Sequence, residues 1–328
     1  MRVRESHTCT GDTYIMPEFT RKPVEGILAL NPLCLNEDQT IDYDGIRENI
    51  QYLESRGVHG FIQLSSMGQI NAPSDEEFQR ITDVCVDAAD DITCIIGGSG
   101  VSQREVIDRT TYAEEAGADG TMVEIPYMLP IEEDWVGPFY RDVDAALNGD
   151  IAVMVYNFPP VTDTNITPKI WREELLDIDS IKAVKESNMA VSHRDEMITT
   201  VADDVNFISP YDAPFWQDSM RGGSGFIGIL TWVAPEVFVK YYEECAAGNQ
   251  NDPWVREANR RIVNAFGGMN DLPDSPPMAY EQSVLNELAE IGGQNGGPPR
   301  KPYQSLDDHA REALEAAVEP LRELEKEL

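Results

Sequence analysis

Eight short strand-forming runs recur along this chain, each followed by a stretch of helical character. They cover residues 26–32, 60–66, 92–98, 120–127, 151–157, 181–187, 205–211 and 225–230. Several are almost continuously apolar, such as Ile27-Leu-Ala-Leu30 and Ile151-Ala-Val-Met-Val-Tyr156. That is the pattern of parallel strands covered on both faces, where no residue has to alternate toward water. The intervening stretches carry helix starts. Ser74-Asp-Glu-Glu77 is a capping box ahead of Phe78, Ile81 and Val84, and Thr167-Pro168 sets a proline at the first helical position. Eight strand–helix repeats within about 220 residues predict an α/β fold, a closed (β/α)₈ TIM barrel. A doubly wound sheet is disfavoured, because no Gly-x-Gly-x-x-Gly follows the first run and the spacing does not divide into halves. The expected organisation is an N-terminal extension (1–25), a catalytic barrel (26–250) and a C-terminal helical appendage (251–328) packed on it. The eighth helix is expected over 234–248. Three further helices are expected to begin near Asp252, Pro277 and Leu306, with Gly/Pro-rich breaks at 267–277 and 292–302.

With 328 residues and 41% hydrophobic content the chain can bury a large core and is not a disordered segment. Its charge is extreme, with 59 acidic against 25 basic residues and a net charge of −34. Such a surface excludes nucleic acid and anionic membranes as partners, since both are bound through clustered Lys and Arg. The acids are spread over nearly every expected helix rather than gathered in a tail, and Lys is scarce at 7 against 18 Arg. An even acidic coat of this kind suits a protein held soluble at high salt better than one with a single basic docking partner. No apolar run approaches the roughly 20 residues that span a bilayer. Residues 1–26 carry no apolar export segment, so a cytoplasmic location is expected. The five cysteines (Cys9, Cys34, Cys85, Cys94, Cys245) are odd in number and scattered, which suits a reducing compartment and neither a disulfide framework nor a zinc site.

Barrel chemistry sits at the C-terminal ends of the strands, which reduces the candidates to a few positions. Lys185 stands out because it ends a strand expected to be buried, in a chain that otherwise avoids lysine. Period-two alternation puts it on the face of Ile181 and Ala183, with Lys182 pointing the other way. Apolar surroundings disfavour the ammonium, and the neutral amine is a nucleophile toward carbonyls. The same residue also reads as the partner of a buried carboxylate, and the strand pattern does not separate the two. Tyr156, at the end of the adjacent strand, is placed either to move protons or simply to pack. Ser66 and the backbone of Gly68 suit binding of a carboxylate. Glu124 is an unexpected acid within strand four: either it pairs with a cation on the outer face or it is a second acid/base group. The run Gly97-Gly-Ser-Gly100 lacks the Lys-Ser/Thr of a P-loop, and Gly222-Gly223 reads as a turn before strand eight. The four histidines (His7, His59, His193, His309) fall outside the expected strand ends, which argues against a His-dependent triad or metal site.

Together these positions resemble the family of dihydrodipicolinate synthase and N-acetylneuraminate lyase, Schiff-base 2-oxo acid lyases built on a (β/α)₈ barrel. The likeness runs from about Gly26 onward. It rests on Tyr156-Asn157-Phe158-Pro159, Ile181-Lys-Ala-Val-Lys185-Glu186 and Gly222-Gly-Ser-Gly-Phe-Ile-Gly228, with similar spacing between Tyr156 and Lys185. The resemblance implies that Lys185 forms the imine and that Tyr156 transfers protons. It also implies that Ser66 and Met67 stand where the family has a carboxylate-binding hydroxyl pair, just before Gly68, and that Ile227 lines the site. A homotetramer is implied, and no metal or organic cofactor. The departures matter as well. Val161 stands where dihydrodipicolinate synthases have an arginine, Met128 replaces a second tyrosine beside Tyr127, and Met67 and Gln69 replace a hydroxyl and an acid. Pro210-Tyr211-Asp212 is similar to a neuraminate lyase segment whose acid contacts sugar hydroxyls, so Asp212 is expected to hold a polyol tail or to cap the next helix.

The expected function is therefore a class I lyase, an aldolase or dehydratase, acting on a small 2-oxo acid such as a sugar-derived 2-keto-3-deoxy acid, with pyruvate as product. The alternatives are a dihydrodipicolinate synthase and a non-catalytic binding or assembly protein. The charge reading has its own test. Raising KCl from about 0.1 M, where charges are felt over ~10 Å, to about 1 M, where the range is ~3 Å, should raise the unfolding midpoint by several degrees. A midpoint independent of salt contradicts adaptation to high salt.

Overall fold

The computed structural model describes residues 21–273 and 281–328. The expected extension up to residue 20, with His7 and Cys9, and the helix start at Pro277 lie outside them. Eight parallel strands close in sequence order into one barrel: β1 Gly26–Leu30, β2 Gly60–Gln63, β3 Thr93–Gly97, β4 Gly120–Glu124, β5 Ala152–Asn157, β6 Ile181–Glu186, β7 Asn206–Ser209 and β8 Gly225–Gly228. The helical layer begins with α1 Tyr43–Ser55, α2 Asp75–Ala88, α3 Gln103–Ala116, α4 Glu133–Ala146 and the short α5 Pro159–Thr162. It continues with α6 Pro168–Ile170, which runs on as a π turn over Trp171–Leu175, then α7 Val191–Val201 and α8 Phe215–Ser219. A 3₁₀ turn Leu230–Trp232, α9 Pro235–Ala246, α10 Pro253–Asn270, α11 Glu281–Ile291 and α12 Asp308–Lys326 complete it.

The strands are shorter than the apolar runs suggested, and for local reasons. Leu64 adopts a left-handed φ of 62° and turns the chain out of β2. Pro126 and Pro210 lack the N–H that a further ladder step needs. The apolar residues beyond these points line the barrel mouth instead. Inside, register neighbours send their side chains to one face. Leu28 faces Gly60 on one side and Ile227 on the other. A Cβ on Gly60 would lie 2.7 Å from Leu28 Cδ2 and 3.1 Å from Thr93 Cβ, so only glycine fits that layer. Phe226 points outward, against Phe215 at 4.9 Å and Phe238 at 6.1 Å between ring centroids. Trp232 Nε1 donates to Leu30 O (2.8 Å) and ties the segment after β8 back to the end of β1.

Several expected elements are confirmed in detail. Ser74 and Glu77 form both bonds of the capping box, and Pro168 opens its helix behind the Thr167 cap. Cys94 is buried packing, and its thiol is pushed up by burial. The start of one break is corrected: α10 runs unbroken through Gly267 and Gly268 to Asn270. A Cβ on Gly268 would meet Ala317 Cβ at 2.7 Å, so this glycine lets α12 approach closely and does not end a helix. The Gly97–Gly100 run likewise serves close packing, since a Cβ on Gly97 would strike Leu64 O.

Behind β7, Arg194 of α7 pairs with Asp218 of α8, and Asp218 Oδ2 also accepts the Ser209 hydroxyl at 2.6 Å. Both charges are buried. Removing one partner of such a pair strands the other without water, which costs about 3–5 kcal/mol. Arg194→Ala should lose stability on that scale in urea unfolding, and Arg194→Met with Asp218→Leu should recover part of it. A loss of less than about 1 kcal/mol would mean that the pair is solvated in solution.

Candidate active site

Three strands bring the central groups together. In the barrel register Glu124 of β4 is level with Tyr156 of β5, and Tyr156 is level with Lys185 of β6. Level neighbours point the same way, so the three side chains form one row at the C-terminal end of the barrel interior. This decides the position of Glu124: it faces inward, and an outer-face ion pair is ruled out. Lys185 is 3% exposed, and its Nζ lies 3.9 Å from the centre of the Tyr156 ring. Tyr156 in turn stacks on Phe158, with 5.4 Å between centroids.

The row is electrostatically tuned. Burial lowers the Lys185 ammonium from its ordinary value to about 8, against the pull of the Glu124 and Glu281 charges, which favour the cation. Burial raises Glu124 to about 8, with Lys185 acting in the opposite direction. The Tyr156 phenol is held well above its ordinary value by burial, then by the nearby Glu124 and Tyr211, while the Ser66 and Ser187 hydroxyls pull it down. On the opposite face of β6, Glu186 accepts two bonds from Asn157 Nδ2 (2.9 and 3.0 Å) and one from Asn188 N (2.7 Å), and it contacts His193 Nε2 at 3.2 Å. That network fixes the end of β6 from behind and holds Lys185 in its inward position.

Over the mouth lies a cavity of about 320 Å³. Met67, Met189, Tyr211 and Ile229 line it from the barrel loops; Phe266, Met269, Asn270 and Leu272, with Glu281 and Val284, come from the C-terminal helices. A larger depression of about 720 Å³ sits between α2 and α3 on the outside of the barrel, bordered by Arg104, Asp108 and Arg109. It contains no strand-end residue, so the smaller cavity is the candidate site.

The expected binding residues divide here. Ser66 and Met67 are at the mouth, and Ser66 O accepts Gln282 Nε2 of α11 at 3.4 Å. The Gly68 N–H, expected to face a carboxylate, donates instead to Ser65 Oγ (2.9 Å) within the loop. Gln69 takes a left-handed φ of 59°, and its Oε1 accepts Arg300 N (2.7 Å), so its side chain ties down the C-terminal loop and does not line the cavity. Tyr127 is half-buried and feels Glu105 and Arg109 of α3 before it feels Glu124. Ile227 points inward but lies one layer down, level with Leu28; Ile229, two residues on, reaches the cavity. Asp212 is fully buried, and its Oδ2 accepts Ile229 N (3.1 Å) and Leu230 N (3.4 Å). It therefore anchors the loop after β8, neither lining the cavity nor capping α8, whose cap position is Pro214. Burial raises its carboxyl to about 7. The contributions of α10 and α11 went unread in the sequence, which marks them only as amphipathic helices of an appendage.

Comparison with known proteins agrees with this geometry. The pattern of the dihydrodipicolinate synthetase family matches residues 23–321. The chain belongs to that family. Its members are Schiff-base lyases, so this protein is an enzyme of the lyase class. A 4-hydroxy-tetrahydrodipicolinate synthase of Archaeoglobus fulgidus is 29% identical over 298 residues, covering 90% of this chain and 98% of its own. An uncharacterized DapA-like lyase of Halobacterium salinarum is 26% identical over 299 residues, covering 91% and 94%. Among solved structures, YagE of E. coli K12 in complex with pyruvate superposes with a TM-score of 0.83 at 25% identity, covering 91% of this chain and 99% of that one. The sialic acid aldolase of Ruminococcus gnavus shares the fold, with a TM-score of 0.81 at 19% identity, covering 92% and 97%. No helix among the described residues is long and apolar enough to cross a membrane.

The charge of Glu281 raises the affinity of Lys185 for its proton. Glu281→Gln should therefore lower the pH midpoint at which the amine becomes free, below the value near 8 in the parent protein. The pH dependence of borohydride trapping with pyruvate measures this, and an unchanged or higher midpoint would place Glu281 outside the site's field.

Proposed function

We propose that the protein is a class I lyase for a small 2-oxo acid, with Lys185 as the imine-forming residue and pyruvate as the released or condensed three-carbon unit. The observation that carries this reading is the buried Lys185, its ammonium lowered to about 8 and its Nζ 3.9 Å from the Tyr156 ring centre at the barrel mouth. A group with this value has a working fraction of free amine near neutral pH. The amine attacks the C2 carbonyl, the resulting carbinolamine loses water, and the protonated imine accepts the electron pair released at C3. Tyr156, beside the Ser66 hydroxyl, moves protons to and from the C2 oxygen. Ser66 and the loop that presents Met67 hold the substrate carboxylate. The pyruvate carried by YagE, which resembles this chain over nearly its whole length, supports a 2-oxo acid at this position.

Aldol cleavage and dehydration both use this imine, and a 2-keto-3-deoxy acid is a substrate for either. Asp212 does not line the cavity and its Oδ2 is held by the β8 loop, so a polyol tail would have to be met by Tyr211, Asn270 and Glu281, the polar side chains among the described cavity residues. A second reading, 4-hydroxy-tetrahydrodipicolinate synthase, is favoured by the names of relatives such as that of Archaeoglobus fulgidus. Val161, where the resemblance looks for an arginine, weighs against it. We also propose that the enzyme works as a cytoplasmic homotetramer at high salt. The acidic coat and the four buried free cysteines of the described chain support the reducing, high-salt part of that reading.

Borohydride reduction in the presence of pyruvate should add a stable mass to the peptide carrying Lys185, and Lys185→Ala should remove it. Tyr156→Phe should keep the adduct and lose turnover by about 10²–10⁴-fold, the usual weight of a proton-transfer group. A parent protein that forms no adduct would instead be a binding or assembly protein. Condensation of pyruvate with aspartate semialdehyde would select the synthase reading, and pyruvate release or water loss from a panel of 2-keto-3-deoxy acids the lyase reading.

A further inference from the structure

We infer that Glu124 is a second acid/base residue of this site, the group that takes and returns the proton at C3 of the substrate once it is held as an imine on Lys185. The inference rests on the Schiff-base reading above and adds a residue to it. Three observations carry it. Glu124 shares the inward row of Tyr156 and Lys185, one strand beyond the tyrosine. It is 4% exposed, and its Oε1 has no hydrogen-bond partner among the described residues, which is costly for a carboxyl unless a ligand completes the site. Finally, Glu124 and Lys185 sense each other's charge but form no ion pair, with the Tyr156 strand between theirs.

That separation matters. A carboxylate touching Nζ would compete with the substrate carbonyl for the amine. One beyond ion-pair distance leaves the amine free to form the imine, and a substrate held there through C2 would bring C3, the next carbon, toward the carboxylate. The backbone of Glu124 is fixed for this, since its N–H donates to Ser99 Oγ at 2.9 Å and Tyr140 holds Val123 O at 2.9 Å on the outer face.

The step balances within the site. The Glu124 carboxylate removes a proton from C3 of the protonated imine. The C–H pair becomes the C2=C3 bond, and the C2=N π pair moves to nitrogen, giving a neutral enamine and a neutral carboxylic acid. In the reverse direction the acid returns its proton to C3. Tyr156 is the less available base for this step, because a phenol held well above its ordinary value is almost never ionised near neutral pH, whereas Glu124, raised to about 8, is partly ionised there.

Pyruvate alone tests the proposal. Exchange of its methyl protons with D₂O, followed by NMR on the full-length protein, reports C3 proton transfer, and borohydride trapping reports imine formation. Glu124→Gln should still trap pyruvate, with the pH midpoint of trapping lowered because a charge favouring the Lys185 cation is gone, while exchange per trapped imine falls by at least about 100-fold. Glu124→Met, similar in volume, should behave alike and serves if Gln disturbs the fold, and Glu124→Asp should restore part of the exchange. Exchange at the parent rate in a Gln or Met variant that still traps pyruvate would overturn the inference and leave the Schiff-base reading intact. Failure of the parent protein itself to trap pyruvate would overturn both.

Discussion

Register between neighbouring parallel strands is the constraint on which this protein depends. A level pair in adjacent strands must send both side chains to the same face of the sheet. Once β4, β5 and β6 are paired as they are, Glu124, Tyr156 and Lys185 have no choice but to converge on the barrel axis. Closure of the barrel then removes water from all three, and that loss of hydration sets their chemistry. The amine becomes easier to deprotonate, and the acid and the phenol become harder to ionise. The site is thus a consequence of packing. The strands hold polar groups in a place where only pairing or a ligand can satisfy them.

Much of this was legible in the sequence because it depends on short-range pattern. The eight apolar runs announce buried parallel strands, and alternation alone orients Lys185 against Lys182. The capping box at Ser74 and the proline at 168 are local and were read correctly. The direction of Glu124 was not legible, because it follows from pairing with a strand some thirty residues away along the chain. Gly267 and Gly268 look like a helix break because glycine serves breaks and close approaches alike, and the deciding contact, Ala317, belongs to another helix.

The site residues show the same division. Ser66, Tyr156 and Lys185 sit where strand-end reasoning puts them. Gly68, Gln69 and Asp212 have the right residue types in the right loops, but the Gly68 N–H, Gln69 Oε1 and Asp212 Oδ2 are taken by Ser65, by Arg300 and by the backbone after β8. A sequence shows that a hydrogen-bonding group exists and leaves open which partner holds it. The cavity wall built by Phe266, Met269 and Glu281 could be seen only after helices from the far end of the chain had been laid across the mouth.

The close approach of α10 to α12 at Gly268 therefore has a reach beyond packing. The helix that needs this glycine also carries Phe266, Met269 and Asn270 to the cavity over the barrel mouth. A side chain added at Gly268 would lever α10 away from α12 and tilt those three residues relative to the barrel mouth. The back of the appendage thus acts as an adjusting screw for the pocket, whose shape can change through helix spacing while every residue in the barrel stays the same.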